Sequence, residues 1–256
     1  VARYSRYVAI GDSQTEGLWD GDDSTGLHGF ADRLATMIDA LHPGLAYANL
    51  AVRGRRIRDL LDEQLPQALA MEPDLITVCI GMNDVTRPGP HFGEALRELD
   101  ELHARLAASG ATVVTTTFPD VARILPIGRV IAPRILQINH EIRRAADRHG
   151  FRLVDLFTAP SMTDPVTWSP DRVHGSATGH MLFAAAAAEA LDLPGSNHDW
   201  ARLDRPPRRT PASSLAYSQV LWTQNMLVPW LWRAARGRSA GDDRGPKRPR
   251  LMSLSA

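Results

Sequence analysis

The stretch Tyr7-Val8-Ala9-Ile10-Gly11-Asp12-Ser13-Gln14-Thr15-Glu16-Gly17 passes from a short apolar run, through a glycine, into polar residues that open a helical turn. A strand ending in such a turn presents its serine at the edge of a sheet, ringed by backbone N–H groups. The same pattern repeats along the chain. Runs of strand character at 7–10, 45–52, 75–80, 112–118 and 152–157 alternate with helical patterns at 30–41, 57–71, 93–108, 133–149 and 176–191. Gly110 follows the third helical pattern, Gly150 follows the fourth, and Pro73 separates the second from the next strand. Strands rich in Val, Ile and Thr that alternate with helices predict an α/β fold with a parallel sheet covered on both faces. Ligands of such sheets bind outside the carboxyl ends of the strands, where the strand order switches. Ser13, Gly54 and Asn83 all follow strand ends.

A serine hydroxyl is a weak nucleophile until a positioned base takes its proton and a third group orients the base. Asp171-Arg172-Val173-His174 supplies both partners in one loop, after the last strand. A carboxylate there can bond the ring nitrogen that faces away from serine, which fixes the tautomer and stabilises the imidazolium. Read alone, Ser13 would cap a helix and His174, one of nine histidines, would be a surface residue. Asn49, Gly54 and Gly81-Met82-Asn83-Asp84 follow further apolar runs and could reach the same crevice. Gly54 also reads as a plain strand-to-helix turn, and Asn83 as an organiser of its own loop. Asp84 suits that structural task, and Asn49 suits a brace at its strand end.

These blocks together resemble the SGNH or GDSL hydrolases, a family of esterases and lipases. The first block corresponds to 11–17, the second to Asn49-Leu50-Ala51-Val52-Arg53-Gly54, the third to 81–84 and the last to 171–174, in family order. The resemblance spans most of residues 7–192. It implies a flavodoxin-like, three-layer α/β/α fold with a five-stranded parallel sheet. It also implies a triad of Ser13, Asp171 and His174. The implied oxyanion hole consists of the backbone N–H groups of Ser13 and Gly54 and the side-chain amide of Asn83. No cofactor and no metal is expected. Gln14 departs from the family's leucine and changes the polarity beside the nucleophile.

The chain has 256 residues, 44% of them hydrophobic, enough to bury a full core. Its 29 basic and 29 acidic residues give no net charge, so nothing suggests nucleic acid as a partner. Cys79, the sole cysteine, reads as a small buried hydrophobe. No cationic-then-apolar leader precedes the first strand and no apolar run is long enough to span a bilayer, so a cytoplasmic location is expected. Gly237-Arg238-Ser239-Ala240-Gly241 imitates a nucleophile elbow but lacks a preceding strand. His174 and His180 lie six apart, a spacing that does not share a helix face, and no further ligand supports a metal. Arg53, Arg55, Arg56 and Arg58 form either a solvated first turn of helix or an electropositive rim for an anionic substrate.

Residues 1–194 form the expected hydrolase domain and 195–256 an extension. Residues 195–213 read as a linker or wrapping segment, and 215–232 as an aromatic segment carrying Trp222, Trp230 and Trp232. Residues 233–256 read as a basic, flexible tail, with seven Arg or Lys against two Asp up to Arg250. The aromatic segment is expected to dock on the core, with a subunit contact in a homo-oligomer or shallow membrane association as alternatives. Residues 237–256 are expected to stay mobile or to be held by only a few contacts. The function expected is a serine esterase acting on a small-molecule ester with a short or medium acyl chain. A carbohydrate or metabolite O-acetylesterase and an acyltransferase are the enzymatic alternatives. A non-catalytic scaffold working through the tail is the alternative of another class.

Overall fold

The computed structural model describes residues 3–124, 128–203, 223, 241–242 and 244–254. β1 (Arg6–Gly11) leads into the short helix α1 (Ser13–Glu16) and a two-residue hairpin of β2 (Gly21–Asp22) and β3 (Gly26–Leu27). Next come α2 (Phe30–Leu41), β4 (Ala46–Asn49) and a helix that runs from α3 (Ile57–Asp59), through a π-helical turn Leu60–Gln64, into α4 (Leu65–Ala70). β5 (Leu75–Cys79), α5 (Met82–Thr86), α6 (Phe92–Ala107), β6 (Thr112–Thr116) and α7 (Val121–Ile124) follow. The domain continues with α8 (Gly128–His149), β7 (Arg152–Val154) and α9 (Ala177–Ala190), and β8 (Arg248–Ser253) comes last. Among the described residues no helix is long and apolar enough to cross a membrane.

The sheet runs β7-β6-β5-β1-β4-β8, with the first five strands parallel. Read from β4, the parallel part has the flavodoxin-like order 2-1-3-4-5, and its switch point lies between β1 and β5. All five residues of β5 are buried, as expected for a strand covered on both faces. α2 packs against α9, and α6 against α8 and α3. On α2 the buried residues Phe30, Ala31, Leu34, Ala35 and Ile38 recur at helical spacing and make one core-facing stripe. Each expected helix forms within a residue or two of its sequence bounds, except that α8 begins at Gly128 instead of 133.

The carboxyl-terminal segment corrects one expectation. The described part of 237–256 is not a loose tail, because β8 pairs antiparallel with β4, Ala46 opposite Ser253 and Asn49 opposite Arg248. β4 would otherwise expose a row of unpaired N–H and C=O groups. The arginines and Pro249 that read as a flexible tail are what an exposed edge strand tolerates. Arg248 donates from Nε to the Tyr47 carbonyl at 2.9 Å and lies over the Tyr47 ring. Truncation after Arg236 therefore removes a strand of the sheet. Upstream, Trp200 is buried and bonds Glu189 on α9, so the chain up to 203 wraps the core. The aromatic segment 215–232 lies outside the described residues, apart from the exposed Thr223.

Candidate active site

Ser13 stands at the first turn after β1 because three local features fix the backbone there. Gly11 has φ 155°, and a Cβ at that position would lie 2.3 Å from Thr15 Oγ1 and 2.4 Å from the Cys79 carbonyl, so only glycine fits. Gln64 clamps the same residue from the helical layer. Its Oε1 accepts from Gly11 N–H and its Nε2 donates to the Gly11 carbonyl, both at 2.9 Å. Asp12 then caps the turn, its Oδ1 accepting from Gln14 N–H at 3.2 Å. The Ser13 hydroxyl lies 2.7 Å from His174 Nε2.

His174 and Asp171 come from the loop before α9, and Asp171 is almost fully buried. Its Oδ2 lies 2.7 Å from His174 Nδ1 and accepts from Trp19 Nε1, also at 2.7 Å. Its Oδ1 accepts from Ser169 Oγ at 2.7 Å, Val173 N–H at 2.8 Å and His174 N–H at 2.9 Å. Burial alone would raise the Asp171 pKa, but the hydrogen bonds from His174 and Ser169, and the attraction of the His174 ring whenever it is protonated, hold it well below the usual carboxylate range. An ionised carboxylate only accepts, so Nδ1 carries a proton, and in the neutral ring Nε2 turns its lone pair to Ser13. The serine hydroxyl then donates to the ring, the arrangement that lets imidazole accept its proton.

Asn83 lies at the start of α5, after β5, across the switch point from Ser13. Its Nδ2 donates to the Arg55 carbonyl at 2.9 Å and to Asp12 Oδ2 at 3.2 Å. Asp12 is buried, and desolvation pushes its pKa up to about 6 despite the bond from Gln14. Gly54 adopts φ 79°, the left-handed conformation that favours glycine. It sits beside the Arg55 carbonyl that Asn83 holds, but is not itself on the wall of the cavity described below. Asp84 accepts from Ile57 N–H at 3.1 Å and so ties the α5 loop to the start of α3. Asn49 donates to the Thr15 carbonyl at 2.9 Å and braces α1 from the end of β4. The four arginines around Gly54 each meet a carboxylate, Glu16, Glu63, Asp59 and Asp62 respectively, which leaves little net positive rim.

Ser13, His174 and Asn83 open on a cavity of about 240 Å³ at the carboxyl ends of β1 and β5. Met82, Phe118, Val121, Ile124, Leu156 and Phe183 give it an apolar wall. Gln14, also on the wall, accepts from Gly175 N–H at 3.2 Å and so joins the serine turn to the histidine loop. Cys79 borders the cavity as a buried thiol whose pKa desolvation pushes up to about 12, which makes it inert. His180 does not join His174. Its Nδ1 accepts from Phe30 N–H at 3.2 Å and its Nε2 faces the Leu18 carbonyl at 3.0 Å, a structural bridge between the turn after α1, the start of α2 and α9. Among the described residues no group of three His, Cys, Asp or Glu side chains is arranged to hold a metal.

Two residues that support the site escaped the sequence reading, Gln64 and Trp19. Gln64 carried a signal, a polar side chain inside the apolar stripe Leu60, Leu61, Leu65 and Ala68. Trp19 carried none, because only the fold brings it across 152 residues to Asp171.

Residues 9–182 match the model of the GDSL-like lipase/acylhydrolase family. Over 208 residues the chain is 29% identical to an acetylxylan esterase from Geobacillus stearothermophilus, covering 71% of this chain and 91% of the relative. A solved α/β hydrolase enzyme from the metagenome of Lake Arreo, Spain, superposes with a TM-score of 0.61 at 26% identity, over 73% of this chain and 95% of that one. The crystal structure of an acetylxylan esterase from Geobacillus stearothermophilus gives a TM-score of 0.60 at 21% identity, over 78% and 97% of the two chains.

Proposed function

This chain belongs to the GDSL-like lipase/acylhydrolase family and is an ester-hydrolysing enzyme of the SGNH fold, and from that premise we propose that it is a serine esterase for small esters of short or medium acyl chain. The observation that carries the reading is the pair of 2.7 Å contacts, Ser13 to His174 and His174 to Asp171, at the mouth of an apolar cavity. Ser13 Oγ attacks the ester carbonyl while His174 Nε2 takes its proton, and Asp171 stabilises the imidazolium through Nδ1–H. The carbonyl oxygen becomes an oxyanion received by the N–H groups of Ser13 and Gly54 and by Asn83 Nδ2. Asn83 would exchange its longer bond, the one to Asp12, for that oxyanion. Collapse expels the alcohol with the proton from His174, and water repeats the sequence on the acyl-enzyme.

The acyl group fits the apolar wall. A cavity of about 240 Å³ is smaller than the roughly 300–1,000 Å³ that holds a drug-sized ligand. The test is a panel of esters varied in acyl length at a constant leaving group. The proposal expects kcat/KM to rise from acetyl to a butyryl or hexanoyl chain and to fall for long chains. The acetylxylan esterase relative favours a second reading, deacetylation of a carbohydrate. In that case acetyl esters of sugars would outrun every longer acyl chain. Transfer of the acyl group to another alcohol is the third outcome, seen as new ester formed when an acceptor alcohol is added.

A further inference from the structure

The last described part of the chain lies against the turn that carries Gly54. Gly241 packs so tightly there that a Cβ would stand 2.0 Å from the Arg53 carbonyl oxygen. Arg244 grips both oxygens of Asp23, Nη1 at 3.0 Å and Nη2 at 2.7 Å. Asp23 Oδ1 also accepts from Arg53 Nη2 at 3.1 Å. Arg53 in turn holds Glu16, by its backbone N–H at 2.8 Å and by Nη2 at 2.8 Å, with side chains only 12% and 8% exposed. Lys247, the only lysine of the chain, reaches the same place three residues further on. Its Nζ donates to the Glu16 carbonyl at 2.6 Å, the Leu27 carbonyl at 2.9 Å and Asp32 Oδ2 at 2.6 Å. Three donors meet three acceptors, so the ammonium is saturated.

The contacts converge on two short pieces. Glu16 ends α1, the helix that begins at Ser13, and Arg53 immediately precedes Gly54. The family match ends at 182, so the gripping residues come from sequence beyond it. We infer that Gly241, Arg244 and Lys247 form a strap that sets the Arg53–Gly54 turn against α1, with Lys247 and Arg244 as positioning residues for the oxyanion donor at Gly54. The inference rests on the proposed role of Gly54. The physical reason is leverage: a donor works only at hydrogen-bond range of the developing charge, and a shift of about 1 Å at a site can cost on the order of 10²-fold in rate.

The experiment compares the full chain with Lys247→Met, assayed well below the melting temperature of each. Lys247→Met is expected to lower kcat by about ten- to a hundredfold while KM stays within about twofold. Because that change leaves the largely buried Asp32 carboxylate without its cation, with only the Gly29 N–H and the Tyr47 hydroxyl as donors, the double variant Lys247→Met/Asp32→Asn is made beside it. The strap predicts that the double variant recovers melting temperature but not kcat, since the bonds to the Glu16 and Leu27 carbonyls stay lost. Arg244→Met, which removes a half-exposed ion pair, should show the same kcat-selective loss in milder form and serves if Lys247→Met does not fold. Arg250→Ala, on the exposed edge strand, should match the parent. Unchanged kcat in Lys247→Met, or kcat restored together with stability in the double variant, overturns the strap. Fluorophosphonate labelling of the parent separates the two readings. A parent labelled at Ser13 with an unaffected Lys247→Met variant defeats the strap alone, whereas a parent that resists labelling defeats the serine reading and the strap with it.

Discussion

Asp171 is the most heavily bonded side chain of the site, with five donors converging on its two oxygens. Four come from its own loop, and they keep the carboxylate ionised and pointed at the ring. Asp171→Asn should keep the loop shape but present the wrong group to Nδ1, with kcat falling by up to about 10⁴-fold. Trp19→Phe removes one donor of the five, and kcat should drop far less, by about tenfold or under, on the same assay. Under the proposed mechanism Asn83 acts on the other side of the carbonyl. Asn83→Ala is expected to lower kcat by roughly 10²–10³-fold with KM nearly unchanged, as measured in steady-state kinetics. A rise in KM alone would place Asn83 in ground-state binding. Ser13, Asp171, His174 and Asn83 were legible because each sits in a short block whose residue types have one economical joint use. Trp19 was not, because its partner is fixed by packing alone.

The helix from Ile57 to Ala70 shows what element-scale reading catches and what it misses. Its apolar spacing predicted one helix over 57–71, and the chain is helical from 57 to 70. Spacing could not reveal the π-helical turn at Leu60–Gln64, where the Leu65 N–H bonds the Leu60 carbonyl. That wider turn brings Gln64 onto the backbone of Gly11, and such turns recur at functional sites. Gln64→Leu should strand a buried N–H and a buried carbonyl next to the serine, at about 1–3 kcal/mol for each group. Both melting temperature and kcat should fall. Gln64→Glu keeps an acceptor for the Gly11 N–H and should cost less. If both variants melt like the parent, the clamp carries no weight. The same limit explains β8. Its arginines and proline are ordinary for an edge strand and equally ordinary for a loose tail, and only the vacant edge of β4 decides between them.

For the whole molecule, the parallel sheet followed from the alternation of short strands and helices, its flavodoxin-like order was implied by the family resemblance alone, and the place of the last residues needed the fold. Stability also has a feature that no motif announced. His103 on α6 is buried against Phe151, and desolvation, with the nearby charge of His149, lowers its pKa to about 4. Unfolding frees it to bind a proton at its ordinary value near 6.5, so its stabilising effect is complete above that pH and is lost as pH falls toward 4. Between pH 7 and 5 the loss amounts to about 2 kcal/mol. Asp12 and Asp84, raised by burial to about 6 and about 7, act in the opposite direction, so the comparison must be made within one pair of proteins. Thermal melts of the parent and His103→Leu should show the variant losing less stability on acidification. Parallel losses would contradict this. The central claim, that Ser13 is the nucleophile of an esterase, is tested most directly by Ser13→Ala. The account predicts that the parent hydrolyses a short-chain ester and carries a fluorophosphonate adduct on Ser13, while the variant melts normally, takes up no adduct and has lost hydrolysis. A folded Ser13→Ala protein that cleaves the ester as fast as the parent would contradict it.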